Sequence, residues 1–301
     1  MRIQAVINRR AGGVMGQSMR SIERDLTSSF ERAGHSMEVR TVDPKNIAAA
    51  LDAAIASRPG AVVIGGGDGT IKCAAQRLAG SDIALAILPL GTLNRTARDL
   101  GIPLDPAGAI TALAAAEIVT IDVAEVNGHV FLCNSLMGLP PQISERRQEL
   151  RGKIIPARIA GYFGILRNIL RARRKIEMTI DDDKETRRVR AFSVAISNNP
   201  YSEEPSFVLR RNALDTGKLG LYISKHRSGL QLMWVLLRAA FGQWSGDPNF
   251  ERLTAKTIVI HSKHRHMRLS NDGEVERLDM PLQYRMRPRA LRVLVPRKQP
   301  A

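Results

Sequence analysis

The spacing of apolar and polar residues changes character near residue 118. Before that point, short apolar runs alternate with stretches whose apolar residues recur every three or four positions. Residues 2–8 (RIQAVIN) predict a strand. Residues 18–33 predict a helix with Met19, Ile22, Leu26 and Phe30 on one face. Residues 37–42 alternate and predict a second strand, and the alanine-rich stretch 48–56 predicts a helix stopped by Pro59-Gly60. The runs 61–64 (AVVI) and 83–88 (IALAIL) are short and wholly apolar, as expected of strands buried on both faces. Helices are expected at 71–78, at 94–100, and from Pro106, a residue suited to a first helical turn, to Ala116. This rhythm implies a parallel sheet covered by helices.

After residue 118 the period becomes two. Residues 118–126 and 129–135 flank Asn127-Gly128, which predicts a hairpin. Further strands are expected at 176–180, 187–197, 218–223, 256–260 and 290–295, with Asp181-Asp182-Asp183 as an acidic turn. Two stretches keep a helical period. The segment 143–175 combines ten Lys/Arg with two acidic residues, and 230–244 carries Leu230, Met233, Trp234, Leu237 and Phe241. The expected division is an α/β domain over 1–125, completed by 288–301, and a β-rich domain with helical insertions over 126–287.

Composition narrows the classes. With 301 residues, 44% apolar and 25% charged, the chain is globular in composition. Two cysteines, Cys73 and Cys133, exclude a disulfide-dense scaffold. Asn8, Arg9 and Arg10 interrupt the apolar opening, and no 18-residue apolar run occurs, so a cytoplasmic setting is expected. The net charge of +16 favours anionic partners: nucleic acid, an anionic lipid surface or a phosphorylated small molecule. Aromatic residues are only 4%, which disfavours a stacking platform for single strands. Without zinc-finger spacing or a helix-turn-helix, no specific nucleic acid is expected, and a non-enzymatic nucleic-acid binder is the remotest alternative. His261, His264 and His266 have spacing that could hold zinc, but Lys263 and Arg265 intervene, and they are expected at the surface.

The candidate chemistry sits where the buried strands end. Gly65-Gly66-Gly67-Asp68-Gly69-Thr70 follows one of them and precedes a helix, and Pro89-Leu90-Gly91-Thr92-Leu93-Asn94 does the same after the next. Both loops are expected on the carboxyl side of the sheet, where α/β proteins bind ligands. Backbone N–H groups and a helix N-terminus there suit an anion. A side chain at Gly67 is expected to crowd a phosphate or to oppose the backbone angles. Asp68 has the wrong charge to touch phosphate and makes sense through Mg²⁺. Neither loop fits the dinucleotide G-x-G-x-x-G or the Walker pattern. Arg9 and Arg10, beside Gly12-Gly13, are further candidates for reaching phosphates.

GGGDGT at 65–70 and LPLGTLNRTARDLGIP at 88–103 resemble the catalytic domain shared by diacylglycerol kinases, sphingosine kinases and bacterial lipid kinases. The resemblance continues through Asn198-Asn199-Pro200-Tyr201, the loop Ala213-Leu214-Asp215-Thr216-Gly217-Lys218-Leu219, the trio Asp272-Gly273-Glu274 and the closing 290–296. It implies an α/β nucleotide domain with a Rossmann-like parallel sheet and a β-sandwich second domain, as in NAD kinases and diacylglycerol kinases, with the active site between them. It implies transfer of the γ-phosphoryl group of ATP to a lipid hydroxyl with Mg²⁺, the acceptor being diacylglycerol or a related lipid. Asn8, Arg9, Gly66, Gly67, Gly69, Thr70, Gly91, Thr92 and Asn94 would hold the nucleotide. Asp68 and Asp122 would belong to the acidic network at the metal, and Asp215 to a structural magnesium loop. Asp272 would be the catalytic base, with Glu274 beside it. The sequence departs from the family pattern at Arg9, Lys72, Cys73, Leu93 and Thr216. A kinase of a soluble acceptor, close to NAD kinase in logic, is the alternative. Peripheral contact with an anionic membrane follows from the basic segment 143–175, and a homodimer is left open.

Overall fold

In the computed structural model the chain is described for residues 1–11, 19–138, 176–202, 210–226, 230–231 and 247–297. It forms two compact units, 1–123 with 288–301, and 124–287. The segment 143–175, Gly12-Gly13 and all of 230–244 beyond its first two residues lie outside the described residues, and so do the expectations placed on them.

The first unit is built on four parallel strands. β1 (Arg2–Asn8), β2 (Ser36–Val42), β3 (Ala61–Gly66) and β4 (Ala84–Pro89) lie in the order β2-β1-β3-β4. Every residue of β3 and β4 is buried, which is why those strands carry no polar alternation. Helices α1 (Met19–Arg32), α2 (Ile47–Ala56), α3 (Asp68–Leu78), α4 (Arg95–Asp99) and α5 (Pro106–Ala114) connect and cover them. α1 buries Ile22, Leu26 and Phe30, the stripe expected from its period. α5 opens with Pro106 behind Asp105, whose carboxylate accepts the Gly108 N–H at 2.7 Å. That cap is worth about 1 kcal/mol. The end of the chain adds a parallel strand, with Val293 beside Leu85.

The second unit is antiparallel. One sheet has the order β12-β11-β10-β7-β14-β15: β12 (Phe250–Ala255), β11 (Leu219–Ser224), β10 (Ser193–Asn198), β7 (Asn134–Gly138), β14 (His266–Asn271) and β15 (Glu274–Asp279). β8 (Ile176–Asp182), β9 (Thr186–Ala191), β13 (Thr257–His261) and the first part of β16 (Leu282–Val295) form the second layer. Met178, Ile180, Ile258, Ile260 and Leu282 from this layer share one apolar core with Ile196, Leu221, Ile223 and Leu269 from the first. Tyr284 is fully buried there, edge-on to Phe131 at 6.1 Å, and its hydroxyl meets that of Ser135 at 2.9 Å. Burial pushes the Tyr284 hydroxyl far above its ordinary pKa, so it stays protonated and keeps its bond.

Several sequence expectations are corrected. β3 runs through Gly66 and α3 begins at Asp68, so the glycine loop shrinks to the single residue Gly67. The strand expected over 129–135 is two strands in different sheets, β6 (His129–Phe131) and β7, parted at Leu132-Cys133. The run 187–197 likewise breaks at Phe192 into β9 and β10. Burial is continuous through both breaks, over 130–135 and 191–194, so no exposed residue marks either one. The Asn127-Gly128 hairpin forms between β5 (Glu117–Val126) and β6, with both turn residues at positive φ. β12 and β15 each bury a single residue, which leaves them without a clear period.

Candidate functional site

In the first unit, the carboxyl ends of β1, β3 and β4 converge. Gly67 links β3 to α3 at φ −91° and ψ −179°, an ordinary extended conformation. This corrects the expectation that its backbone angles require glycine. The crowded glycine is Gly91: a Cβ there would lie 2.5 Å from the Gly67 Cα and 2.7 Å from the Asn94 Oδ1. At Gly66 a Cβ would lie 2.7 Å from the Thr70 side chain. At Gly67 it would meet, among the described residues, the Gly91 Cα alone, at 3.4 Å. The two glycine loops therefore touch each other, and among the described residues nothing else lies within 4 Å of a Cβ at Gly67, at the start of a helix.

Asn94 fixes the second loop. It is buried and left-handed (φ 48°, ψ 47°), a conformation Asn tolerates better than most residues. Its Oδ1 accepts the Gly91 N–H at 2.9 Å, and its Nδ2 donates to the carbonyls of Gly91 at 2.9 Å and Pro89 at 3.3 Å. Asn94 thus shapes the loop from within. Asp68, the first residue of α3, accepts the Arg95 N–H at 2.9 Å, tying the start of α3 to the start of α4. Asn8, at the end of β1, donates to the Thr70 hydroxyl at 3.4 Å. The structure thus brings Asn8, Gly66, Gly67, Asp68, Thr70, Gly91 and Asn94 together. Gly69 lies in the first turn of α3, Thr92 is exposed, and so is Arg9, whose N–H donates to the Val42 carbonyl. Lys72 is buried one turn beyond Asp68. Cys73 is half-buried, with the Arg77 guanidinium 3.1 Å from its sulfur.

Asp122 is fully buried in β5. Its carboxylate accepts the N–H of Arg289, a residue at φ 51°. In this structure the group holds an irregular point of β16.

In the second unit, Asp272-Gly273 is the two-residue turn between β14 and β15, with Asn271 paired to Glu274 and both turn residues at positive φ. The Asp272 carboxylate accepts three backbone N–H groups from the segment that changes sheets. Leu132 donates to Oδ2 at 2.7 Å, and Cys133 and Asn134 donate to Oδ1 at 2.8 and 3.0 Å. The Asp272 N–H returns a bond to the Asn134 carbonyl at 2.8 Å. Two residues complete this clamp. Arg211, buried, donates to the carbonyls of Leu132 and Asn198. Asn198 donates its side-chain N–H to the Leu132 carbonyl at 3.1 Å. The sequence singled out Asn198 but not Arg211, one arginine among 45 Lys/Arg with no period to mark it. Glu274 is exposed.

Asp215 is exposed in the loop before β11, where Thr216 donates to the Asn199 Oδ1 through its N–H at 2.9 Å and its hydroxyl at 2.6 Å. Among the described residues no three His, Cys, Asp or Glu side chains gather as a metal site. His261 and His264 are exposed, and His266 pairs with Asp279. Among the described residues no helix is long and apolar enough to cross a membrane.

The comparisons with known proteins follow the two units. Residues 2–126 match the diacylglycerol kinase catalytic domain, and residues 142–295 match the YegS C-terminal NAD kinase beta sandwich-like domain. A protein of Pseudomonas aeruginosa (strain PAO1) named "Probable lipid kinase YegS-like" is 36% identical over 135 residues, 44% of either chain. One of the same name from Klebsiella pneumoniae (strain 342) is 37% identical over 118 residues, covering 38% of this chain and 40% of that one. This chain therefore matches less than half the length of those curated relatives. A crystal structure described as a diacylglycerol kinase from Bacillus anthracis str. Sterne superposes with a TM-score of 0.76 at 23% identity, covering 98% of this chain and 97% of that one, which supports the fold. The matched domains account for nearly the whole sequence, and the chain belongs to the family that joins a diacylglycerol kinase catalytic domain to a YegS-type C-terminal domain.

Proposed function

We propose that this protein is an ATP- and Mg²⁺-dependent lipid kinase, transferring a phosphoryl group to the hydroxyl of diacylglycerol or a related lipid. The observation that carries the reading is the meeting of Gly67 and Gly91 at the start of α3. Phosphates need a surface of backbone donors without side chains, and the open side of Gly67 at a helix N-terminus meets that need. Asn94 keeps the second loop in place, and Asn8 and Thr70 border the first. Arg9, Gly69 and Thr92 are proposed as further nucleotide contacts at these strand ends.

Asp68 supplies a hard oxygen donor at the same junction. Magnesium in phosphoryl-transfer sites takes one or two carboxylates beside phosphate oxygens, so a three-donor cluster is not needed. When bound, the metal neutralises charge on the phosphates. Asp68 is the carboxylate we assign to it. Asp122 is proposed as a further member of that network, acting from its bond to Arg289, and Asp215 as part of a separate structural magnesium loop.

For the acceptor we carry Asp272 as the group that takes the hydroxyl proton, with Glu274 beside it. A carboxylate offers about four lone-pair directions. Three are used by the backbone clamp, which fixes the group's orientation, and Oδ2, with one donor, keeps a direction for a hydroxyl. A cytoplasmic enzyme working on lipid must also meet the bilayer from its surface, so peripheral contact with an anionic membrane belongs to this proposal. A soluble acceptor is the second reading, favoured by the NAD kinase-like second domain.

The test supplies ATP labelled at the γ-position with a fractionated lipid extract and, in parallel, a soluble extract. Transfer into the organic phase, abolished by chelating magnesium, is expected. Label appearing only in water-soluble product would replace the lipid reading with the soluble-acceptor one.

A further inference from the structure

The segment that changes sheets, Leu132 to Asn134, is bound from two sides. Its three N–H groups go to the Asp272 carboxylate, at 2.7, 2.8 and 3.0 Å. Its carbonyls meet other donors. The Asn134 carbonyl accepts the Asp272 N–H at 2.8 Å, and the Cys133 carbonyl accepts the Asn198 N–H at 3.0 Å. The Leu132 carbonyl has two donors, the Asn198 Nδ2 at 3.1 Å and the Arg211 Nη1. One partner satisfies a buried carbonyl, so the guanidinium is more than this backbone group requires. Arg211 is only 6% exposed, and a buried charge is costly to desolvate. Its Nη1 also reaches the Asn198 carbonyl at 2.8 Å, and its Nη2 lies 3.6 Å from the Cys133 sulfur.

We propose that Arg211 is a positioning residue for Asp272, acting through the Leu132–Cys133 peptide. The inference rests on the reading of Asp272 as the group that takes the acceptor's proton. The Leu132 carbonyl and the Cys133 N–H belong to one planar peptide unit. A cation at the oxygen of that unit polarises it and strengthens the bond from its N–H to the Asp272 Oδ1. Charge-assisted hydrogen bonds are roughly twice as strong as neutral ones, so a guanidinium does this better than an amide. Fixing Leu132 also fixes its own N–H on Oδ2, the oxygen that keeps a direction for the hydroxyl. Leu132 and Cys133 lie between β6 and β7 and belong to neither strand, so no ladder of backbone bonds does this work instead. Without Arg211 the donors to both carboxylate oxygens lose a shared anchor, and the carboxylate is no longer held toward the acceptor.

The experiment gives the full chain ATP labelled at the γ-position and a total lipid extract, and follows single-turnover transfer into the organic phase across an ATP titration. Arg211→Met, Arg211→Lys, Asp272→Asn and the double variant Arg211→Met/Asp272→Asn are compared with the wild type. Rates are scaled to the folded fraction read by circular dichroism. Arg211→Met should lower the plateau by about 10²-fold, the order of loss when a reacting group is misplaced, and leave half-saturation by ATP unchanged. Arg211→Lys keeps a charged donor and should recover most of that loss. Residues that act as a unit are not additive, so the double variant should lie within about threefold of Asp272→Asn alone. A loss from Arg211→Met that repeats in full on top of Asp272→Asn would show that Arg211 acts elsewhere and would overturn the inference. So would a folded Arg211→Met with the wild-type plateau beside an impaired Asp272→Asn, which leaves the base reading standing. If Arg211→Met does not fold, Arg211→Lys takes its place in the cycle, and its smaller loss must vanish in the Asp272→Asn background. Asp272→Asn at the wild-type rate, or no transfer by the wild type, would remove the catalytic reading and this inference with it.

Discussion

The glycine junction of the first unit and the aspartate clamp of the second are both short polar turns, yet they work in opposite ways. At Gly67 and Gly91 side chains are left out, so that two backbones touch and one side remains open. At Asp272 a side chain fills every nearby need, accepting three N–H groups from a segment some 140 residues away in sequence. The first arrangement makes room for a ligand. The second holds a carboxylate still. The proposed reading assigns phosphates to the first arrangement and the acceptor's proton to the second.

The comparison can be broken at either end, and the largest effect is expected at the clamp. Asp272→Asn keeps shape but turns one accepting oxygen into a donor that faces backbone N–H groups. Turnover should fall by about 10²–10⁴ if the carboxylate accepts the proton. Stability should fall by about 1–3 kcal/mol, because buried donors lose their acceptor. A thermal melt run beside the assay separates the two losses.

At the junction, Gly91→Ala should cost about 1–3 kcal/mol, since its Cβ meets backbone at 2.5 Å. Gly67→Ala meets one atom at 3.4 Å and should be near neutral in stability while weakening ATP binding. Denaturant unfolding and calorimetry on the pair check this. If both variants unfold alike, the two glycines are equivalent and the open side of Gly67 has no special part.

Arg211→Met sharpens the clamp's boundary. It leaves the Asn198 carbonyl without the guanidinium, and a loss of about 1–3 kcal/mol is expected. ATP affinity should not change, as read by calorimetry on the folded variant.

The smallest effect is expected at Asp183. Burial raises its carboxyl, but the N–H groups of Lys256 and Thr257 and the Thr257 hydroxyl outweigh that and hold it below the usual 3.8. A depressed carboxyl contributes stability above its unfolded value and loses it as pH falls through the lower folded value. The melting-point gap between the wild type and Asp183→Asn should therefore be steady at neutral pH and close below about pH 4. A gap that widened on acidification would contradict the assignment.

How much of this was legible in the sequence follows from the same contrast. In the first unit β1 to β4 are each followed by a helix and the inner strands are buried on both faces, so the buried runs AVVI and ALAIL announce themselves. The glycine loops were legible for that reason, though the extent of the first was overstated. Gly65 and Gly66 carry no side chain to show that they still belong to β3. In the second unit the sheet-changing breaks at Leu132-Cys133 and Phe192 left no mark, because burial is continuous across them and no exposed residue interrupts it. Asp272 was legible as a turn through its Asp-Gly pair. Its bonds to Leu132, Cys133 and Asn134 were not, because nothing in a local pattern records a partner so far along the chain.

Single-turnover transfer from ATP to the labelled lipid product, followed across an ATP titration in Gly67→Val and Asp272→Asn, tests the division of labour most directly. Gly67→Val is expected to move half-saturation to much higher ATP. Asp272→Asn is expected to leave half-saturation in place and lower the plateau. The same kind of change in both variants, or a folded Gly67→Val with unaltered half-saturation, would contradict the account.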